Sequence, residues 1–111
     1  MTPIEEKRVF KRFQIHAPVR FQVRGESEAN NTTSDNISSG GMSINSDHFV
    51  APETNLTVEI NILSRVLTTI ARVAWASPVP HSNRHRLGLE FIEFSPIERN
   101  YLNDYLSIQP A

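Results

Sequence analysis

The chain has 111 residues, which is the size of a single domain with a real hydrophobic core. Its 11 Lys and Arg residues balance 12 Asp and Glu residues, giving a net charge of -1. It therefore lacks the basic excess of a generic nucleic-acid or membrane-surface binder. Cysteine is absent, which excludes disulfides, thiolate zinc sites and a cysteine nucleophile.

Neither a membrane span nor a signal peptide is predicted. The longest apolar stretch, about residues 66–76, is interrupted by Arg72, whereas a spanning helix needs about 20 mostly apolar residues. The N-terminal residues 1–12 are rich in charge and lack the apolar run of a signal peptide. We therefore expect a soluble, cytoplasmic protein.

Alternating runs predict strands along the first half of the chain. From Phe13 to Val23, apolar residues share one parity and polar residues the other, which is typical of a half-buried strand. The polar residues 26–36 predict a short edge strand or a loop. Residues 38–41 predict a tight turn, after which Met42 and Ile44 begin another strand.

The second half continues the strand pattern and then changes period. Residues 56–62, 66–75 and 87–91 predict three strands, with a polar hairpin loop over residues 81–86. Five or six strands with short links favour a small antiparallel barrel, because closure removes exposed strand edges. The run Ser95–Glu98 matches a capping box and predicts a helix over about residues 96–107, packed on the sheet or across a barrel mouth.

A basic run near the N-terminus is the first candidate for chemistry. Arg8 and Arg12 share a face on a helix, and also in an extended chain, where about 13 Å would separate them. A guanidinium bonds phosphate oxygens, or guanine O6 and N7, in pairs. Lys7 and Lys11 accompany the two arginines. The alternative is a solvated basic tail.

The second candidate is the segment Asn36–Gly41. Its glycines, Gly40 and Gly41, permit backbone angles that let a ligand approach closely. Asn36 offers an amide and Ser38 a hydroxyl. The alternative is a β-turn in which Asn and Ser bond their own backbone.

Taken together, the two segments resemble the PilZ domain family, whose signature pairs an Arg-x-x-x-Arg arm with an Asp/Asn-x-Ser-x-x-Gly turn. Residues 71–75 and 87–91 resemble that family's closing strands, so the resemblance covers about residues 7–106. The residues that match the two-part signature are Arg8, Arg12, Asn36, Ser38 and Gly41.

This resemblance implies an all-β fold: a six-stranded antiparallel barrel with a C-terminal α-helix over residues 13–111, preceded by a flexible arm over residues 1–12. It implies a non-enzymatic receptor for the bacterial second messenger cyclic di-GMP, with no cofactor and no metal. Both arginines would wrap the ligand, and the turn would hold its other side. The expected contacts are Arg8, Arg12, Asn36, Ser38 and Gly41, with Lys7, Lys11 and Gly40 as secondary candidates.

Two departures from the family pattern bear on this expectation. Asn36 replaces the commoner Asp and is the weaker hydrogen-bond acceptor. Lys7 precedes the arginine pair and leaves open whether one or two ligands bind. We expect the ligand to order the arm, and a downstream protein in trans to read the changed surface in motility or biofilm signalling.

Parts of the sequence also fit other functions. The main alternative is a PilZ-like adaptor that binds no nucleotide and acts through protein contacts in motility or pilus function. A single-stranded nucleic-acid barrel would need exposed aromatic residues along a basic groove. The pair His81 and His85 lacks further ligands for a metal, and Ser38 lacks a histidine and the hydrolase elbow. Trp75 is expected in packing rather than in a ligand contact.

Overall fold

A computed structural model describes residues 11–110 and contains a closed antiparallel barrel followed by one helix. The strands pair in the order β1-β2-β3-β6-β5-β4, and β4 pairs with β1 to close the ring. Each of the six strands therefore has a neighbour on both sides. The elements are β1 Pro18–Val23, β2 Ala29–Ile37, β3 Gly41–Ser46, β4 Asn55–Ile62, β5 Arg65–Pro78, β6 His85–Phe94 and α1 Pro96–Ser107.

The predicted alternation produces the core. In β4, Leu56, Val58, Ile60 and Ile62 point inward and are at most 1% exposed, because successive strand residues face opposite sides of the sheet. The inward residues of the other strands complete one continuous cluster. The largest fully buried side chains of the other elements are Phe21, Ile37, Met42, Ile44, Leu67, Val73, Leu87 and Leu102.

Two strand predictions near the N-terminus were wrong in extent. The strand predicted over residues 13–23 begins only at Pro18, and Phe13 instead forms a separate bridge to Ile37. Residues 26–36 were predicted as a short edge strand or loop, but most of them belong to β2, a nine-residue strand paired on both sides. Barrel closure makes a polar sequence extended here, because its backbone bonds complete the ladder although few of its side chains are buried.

The helix matches its predicted bounds and packs against the barrel core. Ser95 caps it by accepting a hydrogen bond from the Glu98 amide at 3.3 Å, and Leu102 and Leu106 join the core. The Glu98 carboxylate accepts from Thr68 N of β5 instead of returning to the cap, so only half of the predicted capping box forms. Among the described residues, no helix is long and apolar enough to cross a bilayer.

Candidate functional site

The two halves of the sequence signature meet beside the β2–β3 turn. Phe13 and Ile37 exchange backbone hydrogen bonds of 2.9 Å in both directions, which lays the residues before β1 along the end of β2. Arg12 Nη1 then donates to Asn36 Oδ1 at 3.0 Å, across 24 residues of sequence. This contact joins an arginine of the predicted arm to the predicted turn. Arg8 and Lys7 lie outside the described residues.

Neighbouring Lys11 is directed to an aromatic ring. Its Nζ lies 5.3 Å from the centroid of the Phe13 ring, within the range of a cation–π interaction. Lys11 and Arg12 are both exposed, whereas Asn36 is half-buried. The described part of the arm therefore presents two cations at the barrel surface, one of them fixed against Asn36.

Ser38 shapes the turn from within. Its Oγ accepts hydrogen bonds from Gly40 N at 3.2 Å and Gly41 N at 3.1 Å, and donates to Gly41 O at 3.2 Å. The side chain is buried, with 5% of the residue exposed. The hydroxyl is thus occupied by backbone groups of the turn, which favours the self-bonded β-turn considered from the sequence. Its role as a direct ligand contact stays a prediction.

We expect Ser38→Ala to lower the stability of the unliganded protein. The substitution leaves the buried Gly41 amide and the part-buried Gly40 amide without their acceptor, a loss of about 1–3 kcal/mol. For a chain of this size each kcal/mol corresponds to roughly 4 °C in the melting temperature. Thermal unfolding followed by circular dichroism measures the change. Ser38→Thr, which retains a hydroxyl, is the control, and equal melting of the Ala variant and the original chain would contradict the assigned bonding.

Gly41 is required by a close approach of two strands. A Cβ built on Gly41 would lie 2.1 Å from the carbonyl oxygen of Leu89 in β6, and Gly41 does not have a left-handed φ. We expected the glycines of this turn to supply unusual backbone angles, and for Gly41 that reason was wrong. Its neighbour Gly40 accepts a hydrogen bond from Phe91 N at 3.0 Å, which holds the turn against β6.

Sequence reasoning missed a link between the turn and the helix. Arg99 of α1 donates from Nη1 to the carbonyl oxygen of Ser39 at 3.1 Å, and its guanidinium lies 5.6 Å from the centroid of the Phe94 ring. The two bonded residues are 60 positions apart, so no local sequence pattern indicates the contact. The helix is thereby attached to the same turn that follows Asn36.

A second missed feature is a β-bulge at the end of β2. The register passes from Ser34 opposite Ile44 to Asn36 opposite Ser43, so Asp35 is the extra residue. Ser34 and Ile44 are buried in the barrel, whereas Asp35 reaches Arg86 of β6 on the outside. The bulge therefore places Asp35 on the same outer face as its neighbour Asn36.

Trp75 packs on the outer surface, as expected from the sequence. It pairs with Gly88, and a Cβ on Gly88 would lie 2.2 Å from the indole, so the ring rests directly over this glycine. Nearby Arg72 is ion-paired with Glu90 and Glu53. Hydrogen bonding to Glu90, with the charges of Glu90 and Glu53, raises the pKa of Arg72, so it stays cationic and already paired.

The histidine pair lies away from the turn. His81 occupies the β5–β6 loop with a φ of 61°, and His85 begins β6. Within residues 11–110 no three His, Cys, Asp or Glu side chains are placed to hold a metal ion. Of the five primary candidates, the structure brings together Arg12, Asn36, Ser38 and Gly41, with the secondary candidate Gly40 in the same turn.

Solved structures share this fold at low sequence identity. The inhibitor of motility MotI/DgrA from Bacillus subtilis aligns with a TM-score of 0.76 and 21% identity, over 99% of this chain and 59% of that one. The PilZ domain of YcgR from Escherichia coli, solved with c-di-GMP, gives a TM-score of 0.73 and 16% identity, over 92% of this chain and 91% of that domain.

MrkH from K. pneumonia, solved as its c-di-GMP complex, gives a TM-score of 0.74 and 14% identity, over 91% of this chain and 50% of that one. The chain thus spans only 59% of the MotI/DgrA chain and half of MrkH. No curated protein sequence matches it. The sequence profile of the PilZ domain matches residues 6–107, nearly the whole chain. With the closed six-stranded barrel and its C-terminal helix, this match shows that the chain belongs to the PilZ domain family.

Proposed function

We propose that this chain is a receptor for cyclic di-GMP that binds the dinucleotide without catalysing a reaction and needs no cofactor. The family membership and the c-di-GMP held by YcgR and MrkH support the ligand class. The observation that carries the proposal is the bond from Arg12 Nη1 to Asn36 Oδ1, which assembles the two signature segments at one place on the barrel.

The chemistry of the site suits a dianionic guanine dinucleotide. Arg12 Nη1 bonds Asn36 Oδ1, which places a guanidinium at the turn, and the five N–H donors of a guanidinium match phosphate oxygens or guanine O6 and N7 in pairs. Arg8, one helical turn or about 13 Å before Arg12, supplies the second cation of the proposal. The Ser38 turn holds Asn36 at the rim of the ligand.

Signal output follows from ordering of the arm. Fixing each backbone residue costs about 1–2 kcal/mol, and a charge-assisted hydrogen bond contributes about 1.5–3 kcal/mol, so several contacts must form together. A ligand that supplies them pins the arm beside β2 and changes the surface around the turn. In this proposal a downstream protein in the cytoplasm reads that surface, and the Arg99–Ser39 bond extends the change to α1.

Calorimetric titration with cyclic di-GMP tests the proposal. We expect saturable binding, no comparable binding of cyclic di-AMP or GTP, and a severalfold loss of affinity as salt rises, because the contacts join cations to phosphates. Absence of heat and of any thermal shift would overturn the proposal in favour of an adaptor that acts through protein contacts alone. An affinity that is indifferent to salt would overturn the assigned role of the arginines.

A further inference from the structure

Asn36 is poorly equipped to accept hydrogen bonds from a guanine. Its amide has one oxygen, and Arg12 Nη1 already donates to that oxygen at 3.0 Å. The free end of the amide is an NH₂ group, which only donates. The Asn36 oxygen keeps one lone pair, whereas the N1–H and 2-amino groups of guanine are two adjacent donors, so reading both needs a further acceptor from another residue.

The β-bulge in β2 supplies such an acceptor, the carboxylate of Asp35. Asp35 lies next to Asn36 on the outer face, with 24% of its side chain exposed, and Oδ1 accepts no hydrogen bond from any residue that the structure describes. Its Oδ2 is buried 2.9 Å from Arg86 Nε, but the contact lacks the alignment of a hydrogen bond. The carboxylate is thus paired in charge and keeps acceptor capacity.

Arg86 fixes where this carboxylate lies. It stands on β6 opposite Asn45 of β3, and its side chain crosses the outside of β3 to reach Asp35 on β2. About half of the Arg86 side chain is exposed, and its Nε lies 2.9 Å from Asp35 Oδ2. A second polar group on this face has unused capacity, because Ser43, directly opposite Asn36, carries a buried hydroxyl without a partner among the described residues.

Resting on the proposed function, we propose that Asp35, oriented by Arg86, is the guanine-reading acceptor of this site. Its carboxylate accepts from the N1–H and 2-amino groups of one guanine of the dinucleotide, while Arg12 serves the phosphate. Asp35 is therefore a specificity-determining residue, and Arg86 is a positioning residue that acts through it. The β2 bulge makes this possible, because without it Asp35 and Asn36 would face opposite sides of the sheet.

The test compares two ligands in the original chain and in the Asp35→Asn variant. Cyclic di-GMP is compared with its inosine analogue, which lacks only the 2-amino groups, and Asp35→Asn is compared with the original chain. A hydrogen bond to a charged acceptor corresponds to about tenfold or more in affinity, so we expect the original chain to prefer cyclic di-GMP by about that factor. In Asp35→Asn the preference should largely disappear, through weaker cyclic di-GMP binding.

Asp47→Asn is the matched control, because Asp47 also pairs with an arginine, Arg84 at 3.7 Å, on the side of the barrel away from the turn. It should leave both affinities unchanged. Arg86→Gln should reduce the preference as well, because Arg86 acts through the Asp35 carboxylate. Melting curves of each variant check that the barrel remains folded.

Four results would overturn the inference. An Asp35→Asn variant that keeps the preference, or one that loses both ligands equally, removes Asp35 from guanine recognition. If the original chain binds cyclic di-GMP and Arg12→Ala abolishes this while Asp35→Asn does not, the receptor function stands and only the role of Asp35 fails. If the original chain binds neither dinucleotide, both proposals fail.

Discussion

Gly41→Ala should lower the stability of the barrel more than a methyl group added at any other residue of the site. The new Cβ would lie 2.1 Å from Leu89 O and 3.2 Å from Leu89 C, both backbone atoms of the neighbouring strand. A backbone carbonyl cannot rotate away as a side chain can. Ordinary carbon–oxygen contacts need roughly 3.5 Å, so strands β3 and β6 would have to move apart by more than about 1 Å.

That separation would weaken bonds on both sides of the turn. Phe91 N donates to Gly40 O at 3.0 Å, and Ser38 N donates to Gly41 O at 2.8 Å. Overpacking ordinarily costs about 1–3 kcal/mol, and we expect the upper end or more because the obstacle is backbone. At roughly 4 °C per kcal/mol, the melting temperature should fall by about 10 °C or more.

Differential scanning calorimetry measures this loss, with Ser39→Ala as the matched control in the same turn. Ser39 contributes its backbone carbonyl to Arg99, which the control retains, so that variant should melt within about 2 °C of the original chain. A Gly41→Ala protein that melts as the control does would show that β3 and β6 are not held at this distance.

Arg12→Ala should weaken cyclic di-GMP binding by about 100-fold with little change in stability. The substitution removes about two charge-assisted hydrogen bonds, or roughly 3 kcal/mol, and each 1.4 kcal/mol corresponds to a tenfold change in affinity. Because Arg12 is exposed and bonds a half-buried side chain, its removal should change the folding free energy by only about 0.5 kcal/mol.

Calorimetric titration of Arg12→Ala, Arg8→Ala and Arg24→Ala separates a specific contact from a general loss of positive charge. Arg24 is exposed just after β1, at the end away from the turn, and among the described residues it bonds only through its backbone N–H, to Asn55 O, so Arg24→Ala removes the same charge without touching the turn. We expect Arg8→Ala to match Arg12→Ala and Arg24→Ala to bind normally. Unchanged affinity in both arm variants would refute the arginine grip.

Elements with a strong local pattern were predictable from the sequence. The alternation of residues 56–62 and the capped apolar stripe of residues 96–107 each predicted one element, and the barrel and its helix are confirmed. β2 was not recognised as a full strand because ANNTTSDN has no apolar alternation, and its extension comes from pairing with β1 and β3. Local patterns report which side chains are buried, whereas ladder closure depends on the whole barrel.

The sequence predicted which residues form the site better than it predicted what each of them does there. Spacing pointed to Arg12, Asn36, Ser38 and Gly41, and these four lie together. Gly41 is needed because its strand lies close to Leu89, 48 positions away. Arg99 and Arg86 likewise make contacts between elements that are far apart in the sequence. Such roles depend on the strand register, because a shift of one residue would turn each side chain to the opposite face of the sheet.

The position of Trp75 makes this residue an intrinsic fluorescent probe. Across the outer face, the register runs from Asn36 to Ser43, then to Gly88, then to Trp75. The chain has 1 Trp, with 40% of its surface exposed, so indole emission arises from a single known position in the row that contains Asn36. Fluorescence therefore reads this face of the barrel directly, without a label.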